Sequence, residues 1–356
     1  MRAMRGMVRD DELPARLRCE GGELVKPNGK PIWLHGVNFG AFNHDDEQDC
    51  APIAARGANA PRVALRWWGT WGKGDEPNPD CRDDKAFAFV NRDKLNIFSG
   101  RIAAAGAAGL WSIPFIDSNC LQGGTNSPED IAYCDPYGVW GAAGHNAYTD
   151  EGMLRMFATV VWPAMAARLR MFARVGMLEF HPEPAHHRPD SWRPRVAQVH
   201  KAILDAVRAV DPDTPVLLGS HPGYSVYQAE NGLLALKDAY GGTLPGNLVW
   251  TGNLLNSYVT DSAQFDRGLR HLVDLREKHD VPVFVQQVGR NSRDDPDLSL
   301  MRHAVEGLRE ANVGYTWWEW KQGNPDPGGK GLNYPDEDGK WIEKEDELDV
   351  LSDAWA

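Results

Sequence analysis

The stretch Val175-Gly-Met-Leu-Glu-Phe-His-Pro-Glu-Pro184 joins a short apolar run to a carboxylate that lies between two prolines. A run this short and apolar, followed by a sharp stop, predicts a buried parallel strand whose carboxyl end opens onto a site. Pro182 and Pro184 fix the backbone and remove two amide donors, so a rigid turn presents Glu183. Glu183 is therefore the first candidate for a functional side chain.

On either side of this stretch the chain alternates predicted strands and helices. The other predicted strands are residues 35–39, 60–67, 109–117, 214–219, 247–251, 281–287 and 313–318. Predicted helices are residues 91–109, 150–174 with a kink at Pro163, 190–210, 261–279 capped by Asp261, and one that opens at Asp295-Pro296. With eight strands and no Gly-x-Gly-x-x-Gly turn, the pattern predicts an α/β fold of the (β/α)8 TIM barrel type. Asn28-Gly29 predicts an N-terminal β-hairpin before it, over residues 23–35.

The chain has 356 residues, of which 42% are hydrophobic, and no linker divides it, so we expect a single domain over residues 1–356. Within it we expect an N-terminal extension over residues 1–22 and an acidic C-terminal segment over residues 322–356. The Gly, Asn, Ser and Pro-rich residues 118–147 predict a long loop over the site.

Charge and apolar patterning exclude several classes of partner. The net charge of -12 argues against nucleic acid and against an anionic membrane, because both require clustered Lys and Arg. No apolar run reaches transmembrane length, and residues 1–10 are basic without an apolar core, so no signal peptide is visible. We expect a monomer without membrane insertion, and favour an extracellular location over a cytosolic one.

In a barrel of this type, functional groups come from the carboxyl ends of the strands. Those ends carry polar, aromatic and acidic residues, namely Asn38, Arg62, Trp67, Trp68, Asp117, Asn119, Glu183, His221, Asn253, Gln287, Trp318 and Glu319. They include no Lys cluster for a phosphate and no His triplet, and the five cysteines lack zinc spacing, so we expect neither a metal nor a cofactor. Several of the 14 tryptophans fall at strand ends, and indole faces pack well on sugar rings, which indicates a carbohydrate site.

These residues resemble the cellulase-like, family-5 type retaining glycoside hydrolases. The resemblance covers about residues 23–322 and is carried by five motifs, Leu34-His-Gly-Val-Asn38, Gly57-Ala-Asn-Ala-Pro-Arg-Val63, Leu178-Glu-Phe-His-Pro-Glu-Pro184, Pro282-Val-Phe-Val-Gln-Gln-Val-Gly289 and Gly314-Tyr-Thr-Trp-Trp-Glu319. It implies a glycosidase that cleaves O-glycosidic bonds of a polysaccharide, an oligosaccharide or a glycoconjugate.

The resemblance assigns roles to particular residues. Glu183 matches the acid/base on strand four, although Pro182 replaces the usual Asn. Gln287 stands where the family has its nucleophilic Glu on strand seven. Arg62 matches the arginine that braces the nucleophile, and Trp318 matches the tryptophan under the reacting sugar. Further substrate contacts are expected from Asn38, Trp67, Asn119, His181, His221, Asn253, Tyr258 and Glu319.

Three hypotheses remain open, because double displacement needs two carboxyl groups and a glutamine cannot form the covalent intermediate. In the first, the protein is a retaining glycosidase and Gln287 is an inactivating substitution of Glu. In the second, Gln287 is natural and the barrel is a carbohydrate-binding pseudoenzyme. In the third, the second carboxylate is Asp117 or Glu319, or a substrate acetamido group is the nucleophile. The direction of the Glu179 side chain, into the barrel or towards a helix, also stays open.

Overall fold

The computed structural model describes residues 13–39, 46–66, 92–117, 151–180, 182, 184, 190–221, 224–255 and 259–356. The strands in this part of the chain are β1 (Arg18–Glu20), β2 (Glu23–Val25), β3 (His35–Val37), β4 (Arg62–Arg66), β5 (Ile113–Asp117), β6 (Leu178–Glu179), β7 (Val216–Gly219), β8 (Leu248–Thr251), β9 (Leu254–Leu255), β10 (Val283–Gly289), β11 (Gly314–Trp317), β12 (Asn333–Pro335) and β13 (Trp341–Glu343). The α-helices are α1 (Asp46–Ala55), α2 (Arg92–Ala107), α3 (Glu151–Met156), α4 (Trp162–Leu169), α5 (Arg193–Arg208), α6 (Ala229–Ala239), α7 (Ser262–His279), α8 (Ser299–Glu310) and α9 (Glu345–Trp355).

Among the described residues, eight strands form one parallel sheet in the order β3, β11, β10, β8, β7, β6, β5, β4, with β9 beside β10. The sheet closes through a parallel bridge between Asn38 and Arg62, where the Phe39 amide donates to the Arg62 carbonyl at 3.0 Å. Gly36 permits this closure, because a Cβ there would lie 2.2 Å from the Ala60 carbonyl oxygen. The predicted (β/α)8 barrel is therefore confirmed.

The barrel interior is apolar at its amino end and polar above it. The amino-end layer consists of Leu34, Ala60, Ile113, Met177, Leu217, Val249 and Phe284, which form one buried cluster with Leu17 and Leu24 of the hairpin region and Trp111. Side chains two residues farther along a strand share its face. The next inward positions are Arg62, Phe115, Glu179, Thr251 and Gln286. Polar groups of the barrel are thus collected just below the carboxyl ends of the strands.

The N-terminal hairpin is present, but its paired strands differ from the predicted ones. The antiparallel pair is β1 with β2, joined at Gly21-Gly22. Asn28-Gly29 still forms a tight turn, in which the Lys26 amide donates to the Lys30 carbonyl at 2.8 Å. Beyond that turn, pairing within the described residues is limited to the Val25–Pro31 bridge and the hydrogen bond from the Ile32 amide to the Leu24 carbonyl at 2.9 Å, so the arms are shorter than predicted.

The predicted helix over residues 150–174 is divided. Between α3 and α4, residues Phe157–Val161 form a π-helical segment, and Pro163 lies in the first turn of α4. Because proline has no amide hydrogen, the regular helical ladder is interrupted at this point. No helix in the described part of the chain is both long and apolar enough to cross a membrane.

Candidate functional site

Seven predicted site residues are described: Asn38, Arg62, His221, Asn253, Gln287, Trp318 and Glu319. Five of them follow the carboxyl ends of barrel strands, and Gln287 lies within β10. Arg62 was expected at a strand end, but it is the first residue of β4. Five others lie outside the described residues, namely Trp67, Asn119, His181, Glu183 and Tyr258. The N-terminal residues 1–12 and the loop over residues 118–147 lie outside them as well.

A β-bulge on β10 determines where Gln287 points. The register with β11 pairs Val285 with Tyr315 and Val288 with Trp317, so two residues of β10 face the single Thr316. Val285 and Val288 both belong to the helix-facing core although they are three residues apart, which an uninterrupted strand does not allow. The bulge shifts the alternation, and it turns Gln287 towards the barrel interior instead of towards the helices.

Side chains from three other strands hold the main chain of the bulge. The Asn38 amide and the Thr316 hydroxyl donate to the Gln286 carbonyl oxygen at 3.0 and 2.5 Å. The Gln286 amide donates to the Thr251 hydroxyl oxygen at 3.2 Å. Because a bulge interrupts the ladder, these contacts satisfy backbone groups inside the barrel that would otherwise be costly to bury.

Three side-chain amides form a chain between β10 and Asn253, which lies in the short connection from β8 to β9. Gln286 donates through Nε2 to Asn253 Oδ1, and Asn253 donates through Nδ2 to Gln287 Oε1 at 3.4 Å. Gln286 and Asn253 are fully buried, whereas Gln287 keeps 7% of its surface exposed. We call these three residues the amide relay. It commits the carbonyl oxygen of Gln287 to the protein, and within the described residues it leaves the NH2 group available to a ligand.

Arg62 and Glu179 form a fully buried ion pair beside the relay. Nε and Nη2 of Arg62 donate to the two carboxylate oxygens at 2.6 and 3.0 Å, and Nη1 donates to Asn38 Oδ1 at 2.7 Å. The guanidinium lies 3.6 Å from the centre of the Phe115 ring. This two-pronged geometry makes a buried charge pair tolerable. Glu179 therefore points into the barrel. Arg62 was expected to brace residue 287, but among the described residues it donates to Glu179 and Asn38.

The two prolines that flank Glu183 in the sequence, Pro182 and Pro184, are both described. Pro182 and Pro184 are both buried, and the Pro184 carbonyl oxygen lies 3.3 Å from Nδ1 of His221. A carbonyl can only accept, so this contact places the proton of a neutral His221 on Nδ1. His221, which follows β7, thus contacts the main chain at Pro184.

Trp318 and Glu319 lie directly after the carboxyl end of β11. The Trp318 amide donates to the Val288 carbonyl at 2.7 Å, and its indole is partly exposed. The Glu319 side chain is buried, and its main-chain carbonyl accepts from Leu332 at 2.8 Å. Gly289 permits the close approach of this segment, since a Cβ would lie 2.4 Å from the Trp318 carbonyl oxygen.

The sequence reasoning missed Gln286, Thr251 and Thr316, and it left Glu179 undecided. A polar pair inside an otherwise apolar strand, Val283-Phe-Val-Gln-Gln-Val288, was the available signal for a bulge. The site as built can donate and accept hydrogen bonds. Residue 287 is a glutamine and has no carboxylate, so attack on an anomeric carbon from this position requires a different residue there.

Solved structures of other proteins share this fold. The structure is similar to the catalytic domain of a mannanase from Streptomyces sp. SirexAA-E (20% identity, 95% of this chain and 92% of that chain, TM-score 0.62). It is also similar to the endoglucanase Cel5A of Pseudomonas stutzeri (15% identity, 96% and 97%, TM-score 0.62) and to an endogalactoceramidase (16% identity, 95% and 84%, TM-score 0.69).

Sequence comparison gives one further result. No curated protein sequence matches the chain. The model of the family described as cellulase (glycosyl hydrolase family 5) matches residues 25–324, which is most of the chain and contains all the barrel strands. The chain therefore belongs to glycosyl hydrolase family 5.

Proposed function

We propose that the protein is a retaining glycosidase framework in which Glu183 is the acid/base and position 287 is the nucleophile position. Membership of a glycoside hydrolase family supports hydrolysis of O-glycosidic bonds. The observation that carries the finer assignment is the bulge, which turns residue 287 inward while Asn253 donates to its side-chain oxygen. An N–H group that donates to the side chain of residue 287 would stabilise the charged form of a carboxylate there.

In the complete mechanism, the carboxylate at position 287 attacks the anomeric carbon while Glu183 protonates the leaving oxygen. Water then hydrolyses the glycosyl ester, with Glu183 as the base. The Gln287 amide has no charge to form this ester. The protein with Gln287 therefore binds its glycan and hydrolyses it poorly or not at all.

The first test compares the chain with Gln287→Glu in an assay of reducing-end release. Mannan, cellulose derivatives and a glycosphingolipid form a suitable panel, because the similar structures are a mannanase, an endoglucanase and an endogalactoceramidase. We expect the variant to gain at least about 1,000-fold, since a covalent nucleophile accounts for several orders of magnitude.

The matched control is Gln286→Glu, which places the same carboxyl group one residue earlier in the bulge. It should gain nothing, because position 286 is fully buried. A parent chain that is already fully active would contradict the proposal and would direct attention to Asp117 and Glu319 as the second carboxylate.

A second candidate function is carbohydrate binding without catalysis. It is favoured by one observation, the complete pairing of Arg62 with Glu179, which leaves position 287 in surroundings that suit a neutral residue. If both the parent and Gln287→Glu bind an oligosaccharide in calorimetry and neither releases reducing ends, this function replaces the first.

A further inference from the structure

The amide relay contains an unusual defect. Oε1 of Gln286 is buried and has no hydrogen-bond partner among the described residues. Buried carbonyl oxygens normally have donors, and exceptions call for an explanation. Gln286 thus keeps an unfavourable acceptor in the barrel interior while its Nε2 is used on Asn253.

The hydrogen bonds of the amide relay can run in two directions, which we call its two polarities. In the one present, N–H groups point from Gln286 to Asn253 and from Asn253 to Gln287. If all three amides were reversed, Gln286 would accept from Asn253 and Asn253 would accept from Gln287, and the group offered to the cleft would become a carbonyl oxygen. Only the polarity present is compatible with a carboxylate at position 287, because a carboxylate cannot donate.

We propose that Gln286 is a positioning residue, which holds Asn253 with its N–H groups aimed at position 287. In the present chain this presents the Gln287 NH2 group to an oxygen acceptor of the ligand. If position 287 is the nucleophile position, on which this part of the inference rests, the same relay keeps a carboxylate there ionised and oriented. Among the described residues, Oε1 of Gln286 stays unpaired in this arrangement, as the Gln286 NH2 group would in the reversed one.

The test places a carboxyl group at position 287 and measures its pKa by carbon-13 NMR. Three variants are compared: Gln287→Glu alone, Gln287→Glu with Gln286→Met, and Gln287→Glu with Gln322→Met. Gln322 is the matched control because it is also a buried glutamine, but it bonds to the loop after β11 through the Asn324 carbonyl and the Gly331 amide.

We expect Gln286→Met to raise the pKa of the introduced carboxyl group by about one unit, because the Asn253 side chain then loses the hydrogen bond to its Oδ1 that orients its donor. Gln322→Met should leave that pKa unchanged. If Gln287→Glu is active, the acid limb of its kcat/KM profile should move upward by the same amount. Equal pKa values in all three variants would overturn the proposal.

The other ionisable groups around β10 do not confuse this comparison. Among the described residues they are Arg62 on β4, Glu179 on β6, His221 after β7 and Glu319 after β11. All of them are present in every variant, so their effect cancels in the difference.

The outcome also separates this inference from the proposed function. An inactive Gln287→Glu would count against the glycosidase mechanism, whereas the NMR titration would still decide the role of Gln286. If Gln286→Met does not fold, Gln286→Asn keeps a polar side chain that is too short to reach Asn253, and it should raise the pKa in the same direction.

Discussion

At the scale of single residues, His200 is a buried imidazole that affects the pH dependence of stability. It lies on the buried face of α5, and its Nε2 has no hydrogen-bond partner within the described part of the chain. Burial lowers the pKa of His200 to about 3, from an ordinary value of 6.5. Below pH 6.5 the unfolded chain therefore binds a proton that the folded chain refuses. The free energy of unfolding decreases as the pH falls from 6.5 towards 3.

We predict that His200→Leu removes this contribution. Between pH 6.5 and pH 5 the parent chain should lose about 1.6 kcal/mol through this group, because the slope approaches about 1.4 kcal/mol per pH unit only below the pKa of the unfolded chain. Urea unfolding of both proteins at the two pH values measures the difference. His271→Leu on α7, where the imidazole is exposed, is the control for losing a histidine as such. An identical pH dependence of His200→Leu and the parent chain would contradict the prediction.

At the scale of elements, helix α7 shows how a local signal defines a boundary. Asp261 is in an extended conformation, and its carboxylate accepts from the Gln264 amide at 2.8 Å. The Gln264 side chain in turn accepts from the Thr260 amide at 2.9 Å. The arrangement is similar to a capping box, except that the Gln264 side chain accepts from the residue before the N-cap instead of from the N-cap itself. The cap that the sequence predicted at Asp261 is present.

We predict that Asp261→Ala lowers the free energy of unfolding by about 1 kcal/mol, which is the usual value of an N-cap. The matched control is Asp274→Ala, an exposed aspartate in the interior of the same helix, which should change stability by less than about 0.5 kcal/mol. Chemical denaturation of the three proteins measures this. Equal losses for the two variants would show that the cap geometry is not what stabilises α7.

At the scale of the whole molecule, the C-terminal helix α9 holds the barrel together at the β3–β11 seam. The indole of Trp355 donates to the Tyr315 hydroxyl on β11 at 2.9 Å, and it stacks on His35 of β3 with ring centres 5.9 Å apart. A Cβ on Gly57 would lie 3.2 Å from the Cβ of Trp355. The end of the chain is thus packed against two neighbouring barrel strands.

We predict that Trp355→Ala lowers the free energy of unfolding by about 3–5 kcal/mol, as expected for a large aromatic side chain removed from a core. Trp341→Ala is the comparison, because Trp341 on β13 is only half-buried, and it should cost clearly less. Urea unfolding followed by circular dichroism measures both. A small loss for Trp355→Ala would mean that α9 is an appendage and not part of the barrel core.

The sequence alone predicted the barrel, because eight apolar runs with polar ends are a local pattern that each strand carries by itself. It also predicted the Asp261 cap, which is present, whereas the role of position 287 stays a prediction. It predicted neither α1, which contains Pro52, nor α6. The Asn28-Gly29 signal was read correctly as a turn, but the strand pairing lies elsewhere, since Glu23–Val25 finds its partner in Arg18–Glu20.

Only the tertiary structure decided which side chains share the interior. The direction of Glu179 depends on where Arg62 lies, 117 residues away. The bulge at Gln286-Gln287 depends on Asn38, Thr251 and Thr316, which lie on three other strands. A period of two assigns faces only while a strand is uninterrupted, so no local pattern could place Gln287 inside the barrel. The candidate site is therefore a property of the closed barrel, whereas the strands that form it are properties of the sequence.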